Sequence, residues 1–462
     1  MSIDVDYLVI GAGAMGMAFV DVILTETDAT VALVDRYDRP GGHWTLAYPF
    51  VRLHQPSAFY GINSRGLGVD RVDTAGSNAG HYELASSAEV VAYFDQVLSQ
   101  QFLPTGRFHF FPKSEAADDG TVTSVLTGAR HDVRGTTVVD ATYSRVTVPA
   151  MRAPAFPVSP QVRWMAPNEL PEITRPADGY VVVGAGKTGI DACLWLLGRG
   201  VDPDDIRWIM PRDSWLLDRM NIQPVEGFYD STVGGYALQL EASAEAESVD
   251  DLFDRLERTG QLLRIDPDVR PTMYRCATVS RAELDTLRQI TNVIRLGRVV
   301  SVEADTITLE SGTIPTSPNT VHVDCTADGL QRRPAVPVFA DDRITLQNIR
   351  TCQQVFSAAL IAHVEATVSD EEKKNELCEV IAHPDSDIDW LRTTAANTRT
   401  MSRWGREPGL GEWLEGSRLN SMRIGDASAL TPDQVAVSMR VLRNLGRAVR
   451  NLERLLGEPS TG

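Results

Sequence analysis

The sequence predicts an α/β protein with two Rossmann-like units followed by a helical C-terminal segment. Three observations carry that expectation. The stretch YLVIGAGAMGMAFVDVIL at residues 7–24 recurs in outline as YVVVGAGKTGIDACLWLL at residues 180–197, and each copy reads as strand, glycine-rich turn and helix. The length of 462 residues suffices for two or three domains, each with its own core. Beyond residue 366 the text is helical in period and carries no glycine cradle.

Taken in order, the first unit opens with DYLVI, a short β-rich run that leads into Gly11-Ala12-Gly13-Ala14-Met15-Gly16, and MAFVDVIL then reads as a helix. This is the context a GxGxxG motif needs to hold a dinucleotide. Gly11 permits the tight turn, Gly13 lets backbone N–H groups approach a pyrophosphate, and Gly16 lets the helix pack close to the strand. The helix N-terminus supplies partial positive charge with no basic side chain. A second strand, TVALVD, ends at Asp35, 24 residues beyond Gly11, where a carboxylate accepts hydrogen bonds from ribose hydroxyls.

The second cradle repeats this with Gly184, Gly186 and Gly189, and with Lys187 and Thr188 at the helix start. Its next strand, IRWIM, ends in Pro211-Arg212-Asp213. Arg212 there suits bidentate pairing with a 2′-phosphate, which points to NADPH over NADH; the alternative is a surface salt bridge. A lone GxGxxG is weak, since glycine turns also serve packing alone. Two copies in full context imply two dinucleotides per chain.

Residues 148–176 are proline-rich and read as an extended linker. Residues 216–290 are acidic, with EASAEAESVDDLFDRLERTG and SRAELDTLRQI at helical period, so a helical insertion within the second unit is expected there. NVIRLGRVVSVEADTITLESGTI alternates like strands joined by a turn. The last helix opens with Thr431-Pro432-Asp433-Gln434, a capping box with proline at the first helical position. Val435, Met439, Leu442, Leu445, Val449, Leu452 and Leu456 then form one apolar stripe, expected to be core.

With 44 Lys+Arg against 62 Asp+Glu, the formal charge of −18 argues against nucleic acid and anionic membrane as partners. The glycine stretches are interrupted by Asp21 and Asp191 and do not resemble membrane spans. The five cysteines, Cys193, Cys276, Cys325, Cys352 and Cys378, stand singly, without a CxxC pair or a Cys/His cluster at ligand spacing. Free thiols in a reducing cytosol, no metal site, and no redox-active cysteine pair are therefore expected. The N-terminus enters a strand pattern at once and suggests an unexported, cytoplasmic protein.

After Asp35 comes RYDRPGGHWTLAYPFVRLHQPSAFYG. Here the sequence resembles the flavin-containing monooxygenases and the related Baeyer–Villiger and N-hydroxylating monooxygenases. The resemblance implies FAD in the first cradle, with Asp35, Arg36, Gly41, Gly42 and Trp44 matching the acidic residue, basic residue and Gly-Gly-x-Trp element of that family. In VRLHQPS, His54 followed by Gln55 stands where the family carries an asparagine beside the flavin. VVDATYS and VDCTADGL are similar to the two crossings between FAD and NADPH domains, PRDSW to the Arg-containing NADPH element, and TCQQVFSAALIAHVEA, which contains Gln353, to the last FAD-domain helix. The likeness spans roughly residues 1–366 in the family's order. It departs from the family in lacking an FxGxxxHxxx(Y/W) element between the cradles, and the chain is identified as an outlying member.

The resemblance implies an FAD domain at 1–150 and 320–370, an inserted NAD(P)H domain at 176–319 and a helical region at 371–462. It further implies an NADPH-driven monooxygenase that inserts one oxygen atom of O2 into a small-molecule substrate through a flavin C4a-hydroperoxide, with His54, Gln55 and Trp44 as catalytic candidates. Imidazole at position 54 offers one hydrogen bond and could titrate near neutral pH. An FAD-dependent NAD(P)H dehydrogenase without oxygen insertion needs the same cradles, and a nucleotide-binding sensor would keep them without turnover. A homodimer is left open.

Overall fold

In the computed structural model, which describes residues 2–117, 119–326, 329 and 331–457 with every side chain except that of Ala427, a parallel sheet lies at the centre of each of two α/β units. In the first, five parallel strands run in the order Phe108–Phe111, Val31–Val34, Ser2–Ile10, Arg130–Asp140 and Arg343–Thr345. Ile10 lies opposite Val34 on one side and Asp140 on the other, so three strand ends meet at one edge of the sheet. In the second, Val293–Ile294, Ile206–Ile209, Tyr180–Val183 and Val321–Asp324 repeat the order of the first four, and Arg163–Met165, which precedes the cradle strand in the chain, takes the fifth place, again all parallel. Each unit also carries an antiparallel meander, formed by Ser114–Ala116 and Thr121–Ser124 against Arg130–Asp140 in the first, and by Val299–Val302, Thr306–Leu309 and Gly312–Pro315 in the second. The duplication is therefore of whole units, well beyond the glycine motif.

Two expected boundaries move. Val321–Asp324 pairs with Tyr180–Val183 and belongs to the second sheet, so the chain returns to the first unit only after Asp324, not at 320. The residues 148–176, expected as linker, contribute the strand Arg163–Met165 to that sheet. Three residues are too short to show a period among prolines. Ala327, Asp328 and Leu330 of the return crossing lie outside the described residues.

The helix Ala14–Glu26 is buried from Met15 through Leu24. It is apolar on every side because it is sandwiched between the first sheet and the helix Gln354–Thr367, itself buried along most of its length. That sandwich is the core of the first unit.

The insertion is only partly helical, contrary to expectation. Ser214–Asp218 is the centre of a three-stranded sheet between Leu262–Leu263 and Met273–Val279, flanked by the helices Val225–Glu245, Val249–Arg258 and Arg281–Leu287. The charged helical text masked strands whose side chains are nearly all interior. Trp215 stacks near Phe253, with ring centroids 5.3 Å apart, and Phe253 meets Trp390 of the helix Asp387–Trp404 at 5.7 Å. The C-terminal region thus docks on the insertion.

The terminal helix Pro432–Leu456 has the expected capping box, in which Gln434 N donates to Thr431 Oγ1 at 3.3 Å and Thr431 N to Gln434 Oε1 at 3.0 Å. Its apolar stripe is core only towards its C-terminal end. Leu452 is 1% exposed, whereas Val435, Met439 and Leu442 are 45%, 53% and 63% exposed. A different apolar face, Val437 and Val441, packs on Val225, Tyr229 and Val233, and polar contacts accompany it: Arg440 pairs with Glu241 at 2.8 and 2.6 Å, and Asn451 Nδ2 donates to Ser243 O at 2.8 Å and Ala246 O at 2.9 Å. Among the described residues no helix is long and apolar enough to cross a membrane.

Leu452→Ala is expected to lower unfolding free energy by about 2–5 kcal/mol, and Leu442→Ala to change it by less than about 0.5 kcal/mol, as read by urea denaturation.

Candidate functional site

Both cradles owe their shape to side chains that are missing. Gly11 has φ +106°, and a Cβ there would lie 2.8 Å from Thr142 Cγ2. A Cβ on Gly16 would fall on the Gly11 carbonyl and lie 3.2 Å from Ala141 Cβ. In the second unit Gly184, at φ +127°, lies under the Cys325 carbonyl, and a Cβ on Gly189 would fall on the Gly184 carbonyl. Each helix can therefore begin flush against the end of its strand.

Below each first glycine sits a matching turn that only the structure reveals. Thr142 N and Oγ1 donate to Asp140 Oδ1 at 2.8 and 2.7 Å; Thr326 N and Oγ1 donate to Asp324 Oδ1 at 3.0 and 2.6 Å. Asp-Ala-Thr and Asp-Cys-Thr are thus equivalent turns, each closing one strand end beneath one cradle. The two crossing segments were legible, but their equivalence to each other was not.

Asp35 lies at the end of Val31–Val34 as expected, 6% exposed. It braces the cradle itself: Ala12 N donates to Oδ2 at 2.5 Å and Tyr37 N to Oδ1 at 2.8 Å. Burial raises its pKa against the pull of these two donors. Each oxygen retains a lone pair for a ribose hydroxyl. Arg36 is exposed, with its guanidinium 5.9 Å from the Tyr37 ring.

Gly41 N donates to Ala12 O at 2.8 Å, folding the Gly41-Gly42 turn across the cradle. A Cβ on Gly42 would come within 3.0 Å of Gly13 Cα, while one on Gly13 would meet nothing nearer than 3.9 Å. One on Gly186 would meet nothing within 4 Å. Both helix N-termini therefore face open space bounded by backbone, the form a pyrophosphate needs. Trp44 lies in the short helical turn Gly42–Leu46 and donates from Nε1 to Tyr60 OH at 2.6 Å.

Lys187, at the start of the second cradle's helix, pairs with Asp191 one turn on. Asp191 also accepts from Tyr48 OH at 2.7 Å, and Thr188 hydrogen-bonds the same phenol. Burial, and next the Asp191 charge, pushes the Tyr48 phenol well above its ordinary pKa. Through these contacts the first unit reaches the second helix. Phe50 stacks on Trp195 with ring centroids 5.2 Å apart. A cleft of about 850 Å3 opens here, lined by Arg52 and Leu53 of the first unit, Lys187 and Trp195 of the second, and Arg219 and Glu283 of the insertion.

His54 follows Leu53 in the chain. Its Nδ1 is buried without a hydrogen-bond partner. Burial, reinforced by the charges of Lys187, Arg219 and His383, pushes its pKa down to about 3. The imidazole is therefore neutral throughout the physiological range, and the expectation that it titrates near neutral pH is corrected. The expectation had assumed a hydrated ring. Gln55 and Gln353, 298 positions apart, are brought together, with Gln353 Nε2 donating to Gln55 Oε1 at 3.2 Å. Gln353 caps the helix Gln354–Thr367.

Arg219 went unnoticed in the sequence. It is 1% exposed and ties three segments together, donating to Glu283 Oε2 at 2.7 Å, to Asn78 Oδ1 at 3.2 Å and to His54 O at 3.3 Å. It thereby holds the His54 backbone. Its one signal was a cation directly after the apolar run SWLLD.

Arg212 donates to both oxygens of Asp385 at 3.0 and 2.9 Å, and Arg275 Nε donates to the same carboxylate at 2.5 Å. Burial alone would raise the Asp385 pKa, but the two guanidiniums outweigh it and hold the carboxyl below its usual range. Close by, Cys276 and Cys352 are joined as a disulfide, while Cys193, Cys325 and Cys378 are free and buried. The expectation of five free thiols is overturned for Cys276 and Cys352. A separation of 76 residues gives no pairing signal in sequence, and only the docking of the insertion beside residue 352 brings the two together.

Uncharacterized proteins of Mycobacterium tuberculosis and Mycobacterium bovis are each 55% identical to the chain over 421 residues, covering 91% of this chain and 78% of theirs. The chain belongs to their family. No family model matches it. A ferredoxin–NADP reductase of Salinispora tropica is 35% identical over 92 residues, 20% of this chain and 28% of the reductase. Among solved structures, cyclohexanone monooxygenase from Rhodococcus sp. Phi1 bound to NADP+ is similar at TM-score 0.48 and 15% identity, covering 96% of this chain and 98% of that one. A flavin-containing monooxygenase from Stenotrophomonas maltophilia follows at 0.41 and 14%, over 75% and 86%.

Arg219→Ala strands the Glu283 carboxylate in a largely buried site and is expected to cost about 3–5 kcal/mol of stability, measured by urea denaturation.

Proposed function

We propose that the protein is an FAD-dependent, NADPH-driven monooxygenase that inserts one oxygen atom of O2 into a small-molecule substrate. The observation that supports it most is the duplication of a complete cradle, each copy open above its helix N-terminus at Gly13 and Gly186. The residues present fit two dinucleotides. Gly11, Gly13, Gly16 and Asp35 would hold FAD, with Gly42 and Trp44 towards its ring; Gly184, Gly186, Lys187, Thr188 and Gly189 would hold NADPH, with Arg212 sharing its guanidinium between Asp385 and a 2′-phosphate. A bound flavin accepts a hydride from the nicotinamide and passes both electrons to an acceptor.

What the chain itself contributes is orientation and exclusion of water. The Gly41-Gly42 turn folds over the first cradle, and Gln353 holds the Gln55 amide. His54 presents a neutral imidazole with an unused buried nitrogen, able to donate or accept one hydrogen bond at an oxygen-bearing group without changing charge. A second reading, hydride transfer without oxygen insertion, is favoured by the 92-residue likeness to a ferredoxin–NADP reductase.

The purified protein is expected to carry tightly bound FAD, visible in its absorption spectrum. Gly13→Val, whose side chain meets no protein atom nearer than 3.9 Å at Cβ, should fold yet emerge colourless. A folded variant with full FAD content would refute the first-site assignment. His54→Ala should keep FAD and NADPH-driven flavin reduction while raising hydrogen peroxide released per NADPH consumed. An unchanged ratio in FAD-replete protein removes His54 from oxygen chemistry, and a parent protein that consumes no O2 supports the second reading.

A further inference from the structure

Three side chains that the sequence scatters converge where the insertion, the loop before Gln354–Thr367 and the loop before Asp387–Trp404 meet. Cys276 Sγ, Cys352 Sγ and a ring nitrogen of His383 all lie within 4.8 Å of one another. Cys276 is 4% exposed, and Cys352 and His383 are half-buried. The two Cα atoms are 6.6 Å apart, an ordinary separation for a disulfide. Both cysteines sit in left-handed backbone, at φ +57° and +60°, which non-glycine residues avoid. The surrounding fold therefore holds two separate segments against their backbone preference so that both sulfurs point to one place.

We propose that in the dithiol state Cys276, Cys352 and His383 bind one Zn2+ ion, and that the disulfide is the oxidised, metal-free form of the same site. Two thiolates and one imidazole make a three-ligand zinc site with its fourth position left to water. At Zn–S about 2.3 Å and Zn–N about 2.0–2.1 Å, tetrahedral ligand atoms stand roughly 3.5–3.8 Å apart, within the radius already occupied by the three groups. Opening the disulfide and parting the sulfurs by a small side-chain rotation is enough to admit the ion. The chemistry balances with a thiol as reductant: two thiols deliver two electrons and two protons to the Cys276–Cys352 bond and leave as their own disulfide. Zn2+ then displaces the two cysteine protons. Arg275, next to Cys276 in sequence, and Arg212 gather on Asp385, two residues from His383, which ties the insertion to the loop that carries His383.

The site joins parts of the molecule that must stay aligned. Cys276 belongs to the insertion strand Met273–Val279, while Cys352 immediately precedes Gln353, which holds Gln55. Thiol redox state would thus change a crosslink between the insertion and the segment that holds Gln55. None of this requires the flavin assignment.

The test uses the full chain, reduced by a phosphine, freed of metal by chelation under anaerobic conditions and titrated with Zn2+ against a chromophoric chelator. One equivalent of Zn2+ per chain is expected, with Cys276 and Cys352 protected from alkylation in peptide mass mapping. Co2+ substituted for Zn2+ should give a thiolate charge-transfer band and tetrahedral d–d bands. His383→Ala and Cys352→Ser, both at half-buried positions, should weaken binding by more than the about 10–100-fold that loss of an outer-shell partner costs. Alkylating the reduced cysteines beforehand should abolish it. A reduced protein that takes up no Zn2+, or variants that bind it as tightly as the parent, would overturn the proposal and leave a structural disulfide.

Discussion

The contact on which the site depends is the one between the third glycine of each motif and the carbonyl of the first. Any side chain at Gly16 would occupy the place of the Gly11 carbonyl, and any at Gly189 that of Gly184. With hydrogen alone there, each helix starts against its strand end and aims its unpaired N–H groups outward. Gly41 and Gly42 can then fold over the first helix terminus, and Asp35 can accept from Ala12 N. A helix displaced by the width of a methyl group would break these contacts together.

The rest of the molecule joins the two units. Tyr48 and Phe50 of the first unit meet Asp191 and Trp195 of the second. Arg219 of the insertion reaches Glu283, Asn78 and the His54 carbonyl, a buried guanidinium satisfied by three separate segments. Such an arrangement costs desolvation and returns geometric definition, since a shift of any one segment leaves a buried charge short of a partner. The C-terminal helices stabilise this frame from outside, through Trp390 against Phe253 and Arg440 against Glu241.

His54 illustrates how context changes a residue's chemistry. In sequence it is a histidine of ordinary pKa; in place it is neutral by desolvation, with one nitrogen left without a partner. Gln55 and Gln353 are likewise unremarkable apart from their meeting across 298 positions.

The sequence by itself determined the two strand–turn–helix units, the carboxylate closing the first, the capping box of the last helix and the α/β class, because each rests on contacts among residues close in the chain, where glycine, apolar period and cap leave a local signature. The tertiary structure decided the rest. The strand Arg163–Met165 is only three residues long and the insertion strands are nearly all interior, so no alternation marks them. The rotation of the terminal helix follows from Val437 and Val441 packing on Val225, Tyr229 and Val233, with Arg440 and Asn451 finding partners beside them, which leaves Val435, Met439 and Leu442 outward. The bond between Cys276 and Cys352, the place of His383 beside it and the grip of Arg219 on His54 all join residues dozens to hundreds of positions apart. Those pairings are set by how packed units dock, which composition and spacing do not encode.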